Sequence, residues 1–347
     1  MSTRSEPLLL TMGDACGIGP EIIARAFQRG AAAGCLVVGD MGAMRRAMRL
    51  TPQPWPLAQL RAPADLSACP PNCLPVWQPD GLPAGLDQLP WGRPNAHAGA
   101  AAAVCIEAAV RAVQAGAGAG IVTAPLHKSA LAAAGQPYPG HTEMLQALAT
   151  VPGAAPLPVR MMLANEELRV VLVTIHLALR AAIDAVSFDA VLGTLRIAHA
   201  AAQQWGQPRP RIAVAGLNPH AGEDGLFGHE ERDIIAPAVV AAVAEGIDAR
   251  GPYAPDTVFM RARRGEFDVV VAMTHDHGLI PVKYLGVEEG VNVTLGLPFV
   301  RTSPDHGTAF DIAGRGIADS SSLEVRSAGH AAPSRRARRS VPRERHT

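Results

Sequence analysis

Aromatic side chains are scarce in this 347-residue chain: seven Phe, four Trp and three Tyr, 4% in all. With 48% of the residues apolar all the same, the core has to be aliphatic and the helices rich in alanine. Charge of one sign is missing too. Thirty-one Lys and Arg balance 31 Asp and Glu, so the bulk charge gives no pull toward nucleic acid or an anionic membrane. No run approaches the roughly 18 uninterrupted apolar residues of a membrane span. Residues 1–7 carry no long apolar stretch behind them and do not read as a secretory signal. Cysteines number only five, an odd count. Cys69 and Cys73 stand in a Pro-rich loop with no second pair to complete a zinc site. Reduced thiols and a cytoplasmic setting are the expectation.

Two signatures are absent as well. The glycine run GAGAG at 116–120 follows a helical stretch and precedes an apolar one, whereas a phosphate-cradling glycine loop follows a strand and opens a helix. It reads as a turn. His229, Glu230 and Glu231 lack the second histidine of HExxH, which excludes that class of metalloprotease.

The length suits about two domains. Residues 7–12 form a short apolar run, followed by Gly13, Asp14 and a glycine loop, then Pro20 at the start of a helix. Residues 35–39 read as a second buried strand. Residues 51–95, rich in Pro, Leu and Asp, suggest loops and edge strands. A helix is expected over 98–115. Further strands are expected at 161–163, 169–174, 211–215 and 268–273, with helices at about 184–204 and 229–245. This alternation predicts an α/β protein with mostly parallel sheets. From about residue 324 the chain becomes basic and polar, and is expected to be disordered.

In an α/β sheet, ligands collect beyond the carboxyl ends of strands. Four polar clusters follow apolar runs: Thr123 to Lys128 with Gly140 to Glu143; Thr174 to His176; Asn218 to Glu223; and Thr274 to Gly278. Three of them place a histidine just past a strand, at His176, His220 and His275. Imidazole is a common ligand of Zn²⁺ and related ions, and three protein ligands leave an open position. A last cluster holds Lys283, Asn292, Arg301, Thr302 and Ser303, then Asp305, His306, Gly307, Thr308 and Asp311. Its cations and hydroxyls suit a phosphate and a carboxylate, with Arg as a fork and Lys as a point charge.

The segments TMGDACGIGPEI, TAPLHK with PYPGHTE, MMLANEELRVVLVTIH, GLNPHAGE and VAMTHDHGLIPVKYLGVEEGVNVTLGLPFVRTSPDHGTAFDIAGRG lie in one order over about residues 7–322. Together they resemble the 4-phosphohydroxy-L-threonine dehydrogenase family of pyridoxal phosphate biosynthesis. The resemblance implies a two-domain α/β fold, similar to isocitrate and isopropylmalate dehydrogenases, with the active site in the interdomain cleft. It implies a first domain over 1–135 and 300–323 and a second over 136–299. A homodimer with the site near its interface is implied, together with NAD or NADP and one divalent ion per site (Zn²⁺, Mg²⁺, Mn²⁺ or Co²⁺). Carried over motif by motif, the metal ligands are His176, His220 and His275. The substrate contacts are His141, Thr142, Lys283, Asn292 and Arg301. The cofactor lies along residues 302–316, at Asp305, His306, Gly307 and Asp311. The substrate is a small phosphorylated hydroxy acid; nucleic acid and membrane are not partners.

The chemistry so implied is metal-assisted oxidation of the substrate's secondary alcohol, hydride passing to NAD(P)⁺, and loss of CO₂ from the resulting 3-oxo acid to give 3-amino-2-oxopropyl phosphate. Lys128 and Asp256 are the candidate bases. Relatives acting on 4-phospho-D-threonate or 4-phospho-D-erythronate give the alternative substrates. A cis-dihydrodiol, or a non-catalytic metal- or phosphate-binding role, stands further off. Three departures from the family pattern occur. Asp14, Ala15 and Cys16 stand where Asp, Pro and Ala or Ser are usual. His277 stands where Gln is usual; on an extended segment it would share a side with His275, leaving open which of the two is the ligand. The basic stretch 324–347 replaces a closing apolar helix.

Overall fold

The computed structural model describes residues 6–286 and 290–323; the basic stretch 324–347 lies outside them. The first half alternates β1 (Leu8–Thr11), α1 (Gly19–Gln28), β2 (Cys35–Val38), α2 (Met41–Met48), β3 (Leu57–Leu60), β4 (Leu74–Trp77), α3 (Ala96–Gln114), β5 (Gly120–Thr123), α4 (Lys128–Ala133) and α5 (His141–Ala149). The second runs β6 (Arg160–Ala164), β7 (Arg169–Leu172), α6 (Leu179–Ala185), α7 (Phe188–Gln204), β8 (Ile212–Ala215), α8 (Ala236–Ala244), β9 (Ala249–Tyr253), α9 (Pro255–Arg263), β10 (Val269–Ala272), α10 (His275–Tyr284), β11 (Val291–Leu295) and β12 (Val300–Pro304).

These strands form one sheet in the order β3-β4-β2-β1-β5-β12-β11-β6-β7-β10-β8-β9. Pairing is parallel except at the centre, where β11 opposes both β12 and β6, and β6 opposes β7. The strands LLLT, CLVV, GIVT, IAVA and VVVA are buried at every residue. Helices cover both faces of a parallel sheet, so its strands carry unbroken apolar runs. Alternation still sorts them. Val171, Val214 and Val271 join a core under α7 and α8, while Val170, Leu172 and Val270 join one under α9 and α10. A separate core gathers β1, β2, β5 and α1 to α3, and takes Met144 and Leu145 from α5.

Alanine makes α3 possible as a central helix. It is long and apolar enough to cross a bilayer by length and composition, yet Ala98, Ala101, Ala103 and Ile106 are packed inside the first core. A Cβ on Gly99 would collide with the backbone of Ala130. Glycine there lets α4, which begins at Lys128, lie against α3.

Two expected helices differ in form. The stretch 184–204 is split into α6 and α7 at Val186, because Ser187 caps a new start by accepting from the Ala190 N–H at 3.2 Å. The stretch 229–245 begins with a π-helical turn, Glu231–Ile235, before α8. The short strands β3 and β4 lie at one edge of the sheet, as the irregular composition of 51–95 suggested.

Candidate active site

The order β2-β1-β5 is a switch point, since the chain leaves β1 to opposite sides. At its crest Gly13 (φ +71°) turns the chain so tightly that a Cβ would meet the Pro125 carbonyl. Asp14 follows, 1% exposed, with Oδ1 accepting the Cys16 N–H at 2.8 Å. Burial raises its carboxyl to about 6, against the opposing pull of that N–H and of His127. Arg46 donates to the Ala15 carbonyl at 2.7 Å and stacks 3.8 Å from the Trp91 ring centre. The unusual Cys16 is buried, its thiol pushed up to about 11 by burial, and so is inert at neutral pH.

Arg301, on β12, is 3% exposed. Its guanidinium donates to Thr123 Oγ1 (2.7 and 3.2 Å) on β5 and to Thr294 Oγ1 (2.9 Å) on β11. These partners are neutral, and burial lowers its pKa to about 10, with Glu143 opposing. Its charge is thus left for an anion. His141 opens α5, and its Nε2 is shielded from solvent without a protein partner. Burial, then the Arg301 charge, holds that imidazole well below its ordinary value, in the neutral form. Thr142 follows it in the first turn, half-buried. His127 stacks on Phe310, ring centres 4.9 Å apart, and its Nδ1 lies 2.7 Å from Ser129 Oγ.

The ends of β7 and β10 are neighbours, and they carry His176 and His275. The backbone continues the pairing one step further, with Thr174 donating through both N and Oγ1 to the Met273 carbonyl (3.2 and 2.8 Å). The two rings stand 5.6 Å apart between centres. Partial desolvation lowers the His176 pKa, helped by His275 and Lys128 and opposed by Glu143. Lys128 and Glu143 belong to α4 and α5, so charges from the first half of the chain act on this ring in the second. A cavity of about 300 Å³ is lined here by Thr174, His176, Ala182, Thr274, His275 and His277. His275 Nδ1 is 2.7 Å from Asp276 Oδ1, the kind of second partner that orients a ligating imidazole.

His275 and His277 occupy α10, not an extended segment, so the argument that both face one side fails. Helical residues two apart are turned by roughly 200°. Both rings still reach the cavity wall, and His277 Nδ1 is buried without a protein partner.

His220 lies beyond β8, one strand further along. Its turn, Pro219–Gly225, is left-handed at five successive residues, 220–224, with φ between 42° and 82°. For residues other than glycine this costs about 1–2 kcal/mol each. The His220 ring is exposed, 6.0 Å from Phe227, with Nδ1 4.0 Å from Glu223 Oε2. Among the described residues no three His, Cys, Asp or Glu side chains are gathered into a metal cradle.

An ion 2.0–2.1 Å from an imidazole nitrogen sits roughly 3.2 Å from the ring centre, so two ligating rings have centres about 5–5.5 Å apart. The His176 and His275 rings, neutral His176 and the Asp276 partner fit half of such a site.

Lys283 Nζ lies 2.8 Å from Asp305 Oδ2, so an expected substrate residue faces an expected cofactor residue. Asn292 is in β11, paired with Ser303 and Leu163. His306 and Asp311 are exposed. Gly307 has open space where a Cβ would point. The loop after them is tied to α1, with Glu21 accepting from Ala318 N (3.0 Å) and Gly314 N (3.3 Å). Lys128 is exposed at the start of α4, whereas Asp256 is exposed in the first turn of α9. Thr294 was not singled out by sequence reasoning, and Thr123 and Asp14, though they lie in segments named there, were given no role. A threonine or acid at a strand end was the only available signal.

A family model described as pyridoxal phosphate biosynthetic protein PdxA matches residues 31–328. The chain is 56% identical to a 4-hydroxythreonine-4-phosphate dehydrogenase of Beijerinckia indica subsp. indica over 326 residues, 94% of each protein. It is 48% identical to a D-threonate 4-phosphate dehydrogenase of Cupriavidus necator over 320 residues, 90% of this chain and 93% of that one. It is similar to the crystal structure of a 4-hydroxythreonine-4-phosphate dehydrogenase from Klebsiella pneumoniae, with a TM-score of 0.85 and 45% identity, covering 93% of this chain and 96% of that one.

Proposed function

The chain belongs to the pyridoxal phosphate biosynthetic protein PdxA family, and on that premise we propose that it is a metal-dependent, NAD(P)-linked dehydrogenase of 4-phosphohydroxy-L-threonine. The observation that carries this is a pair of sites in one chain: the Arg301 charge, buried on neutral partners beside His141, and the His176 and His275 rings on one cavity wall, with His176 within electrostatic reach of Lys128 and Glu143. One small substrate with a phosphate at one end and an alcohol at the other would span them.

In this reading Arg301, Lys283, His141, Thr142 and Asn292 hold the phosphate and carboxylate. His176, His275 and His220 would hold a divalent ion, which would supply Lewis acidity at the secondary hydroxyl, with NAD(P)⁺ as the hydride acceptor. Asp305, His306, Gly307 and Asp311 hold NAD(P). The free amine of Lys128 would receive the hydroxyl proton, in preference to Asp256, because Lys128 lies within electrostatic reach of the His176 ring. The 3-oxo acid then loses CO₂ to leave 3-amino-2-oxopropyl phosphate.

A homodimer belongs to this reading. His220 is exposed and away from the other two rings, as expected if His220 of the partner subunit completes the set. Leu177 and Leu179, on the cavity wall, are 51% and 67% exposed, and exposed Ile183 and Phe188 extend that apolar rim. The two domains, 1–135 with 300–323 and 136–299, would meet along this cleft. The cysteines are free thiols, in keeping with a cytoplasmic setting.

The second reading, oxidation of 4-phospho-D-threonate, is favoured by the 48% identical relative. The two substrates differ at carbon 2, amine against hydroxyl. Comparing kcat/KM for both, followed at the nicotinamide absorbance with NAD⁺ and NADP⁺, decides between them. A preference of a hundredfold or more for 4-phosphohydroxy-L-threonine is expected, and the reverse preference would assign the chain to the second reading.

A further inference from the structure

The turn that carries His220 is held by a carboxylate to which nothing above gives a role. Glu231 is 4% exposed and opens the π-helical turn Glu231–Ile235. Its Oε1 accepts the backbone N–H groups of Leu217 and Asn218, both at 2.7 Å. Its Oε2 accepts from Asn218 Nδ2 at 2.9 Å, a group shared with Glu230 Oε2 at 2.7 Å. Asn218 is the residue from which the left-handed turn departs. The carboxylate also fills the space under that turn. A Cβ added to Gly222, inside the run, would lie 2.7 Å from Glu231 Oε2, and one added to Gly216 would lie 3.0 Å from Oε1.

We propose that Glu231 is the positioning residue for His220, fixing where its imidazole stands for the divalent ion; this rests on the metal-site reading above. Left-handed backbone at His220, Ala221, Glu223 and Asp224 opposes the chirality of their Cα atoms. It persists only where its surroundings over-determine it. Hydrogen bonds from N–H groups to a carboxylate are stronger than those to a neutral acceptor. Glu231 places three of them at the entry of the turn and leaves room only for glycine at 216 and 222. The π-helical turn serves the same end: widening the helix by one residue at its start brings Glu231 under the loop. The strain is therefore retained to aim a side chain, and the buried carboxylate is what retains it.

Glu231→Gln keeps one oxygen for the two backbone N–H groups but turns an NH₂ toward the Asn218 amide, donor against donor. Asn218→Ala removes the side-chain link alone and is the milder variant. Zn²⁺ affinity of the folded, metal-stripped protein is measured by competition with a chromogenic chelator, beside His220→Ala and the thermal midpoints. The expected result is a loss of tenfold or more in Zn²⁺ affinity for Glu231→Gln, and a smaller loss for Asn218→Ala. Saturating Zn²⁺ should restore kcat to both but not to His220→Ala, a recovery that a merely structural role would not produce. If both variants bind Zn²⁺ like the parent while His220→Ala does not, the proposal is overturned and the metal-site reading stands. If His220→Ala binds Zn²⁺ like the parent, the metal-site reading falls and takes the proposal with it.

Discussion

Lys283 Nζ approaches Asp305 Oδ2 to 2.8 Å, tying the last turn of α10 to the segment just past β12. The approach is ionic rather than a well-angled hydrogen bond. With Lys283 40% exposed, such a pair is worth only about 0–1 kcal/mol, so a phosphate can draw the ammonium away. Lys283→Ala is expected to raise KM for the phosphorylated substrate about ten- to a hundredfold, since a charged hydrogen bond contributes roughly 1.5–3 kcal/mol. Asp305→Asn, which frees the ammonium, should leave KM for that substrate unchanged or lower. Steady-state kinetics on the two variants test this; an unchanged KM in Lys283→Ala removes Lys283 from the anchor.

Asp14 gives a stability prediction with a definite sign. Burial raises its carboxyl to about 6 in the folded chain, against 3.8 for the free side chain. The folded state therefore prefers the proton. The stability this contributes is full below pH 3.8 and is lost as pH rises through 6. The loss is on the order of 3 kcal/mol at about 1.36 kcal/mol per pKa unit. Asp14→Asn keeps an oxygen for the Cys16 N–H and cannot ionise. It should be more stable than the parent at pH 8 and match it near pH 4 in urea unfolding. A stability difference that does not vary with pH would contradict the assignment.

His275 and His277 can be separated by metal content. His275 is fixed by Asp276, whereas His277 stands two residues into the helix with Nδ1 unpaired. His277→Gln restores the family's usual residue and should keep bound metal and most activity; His275→Gln should lose both. Elemental analysis of the two purified variants reads this directly, and a metal-free His277→Gln beside a loaded His275→Gln would reverse the roles.

Much of this architecture is legible in the chain. Apolar runs such as LLLT and VVVA mark strands buried on both faces, Pro20 marks the start of α1, and GAGAG is the turn its context implies. The start of α10 was not legible. His275, Asp276, His277 and Gly278, followed by Pro281, are weak helix formers. The helix is set by packing, since Gly278 lies against Leu172 and Val170 of β7 so closely that a Cβ would not fit. Nor could periodicity reveal the partners of Arg301, because Thr123 is 178 residues away and reaches it only through the pairing of β5 with β12. The left-handed turn at His220 escaped for the same reason: its support, Glu231, belongs to another element.

Metal-dependent dehydrogenation is tested most directly by following NADH or NADPH formation from 4-phosphohydroxy-L-threonine in protein stripped of metal by a chelator and then reloaded. Turnover in the stripped protein is expected to fall roughly a hundredfold, about 2.7 kcal/mol of barrier. The metal-site reading requires recovery on adding Zn²⁺, Mg²⁺, Mn²⁺ or Co²⁺, and no recovery in His176→Gln. Full turnover by protein shown to be metal-free, or no turnover of any phosphorylated hydroxy acid by the reloaded protein, would contradict that reading.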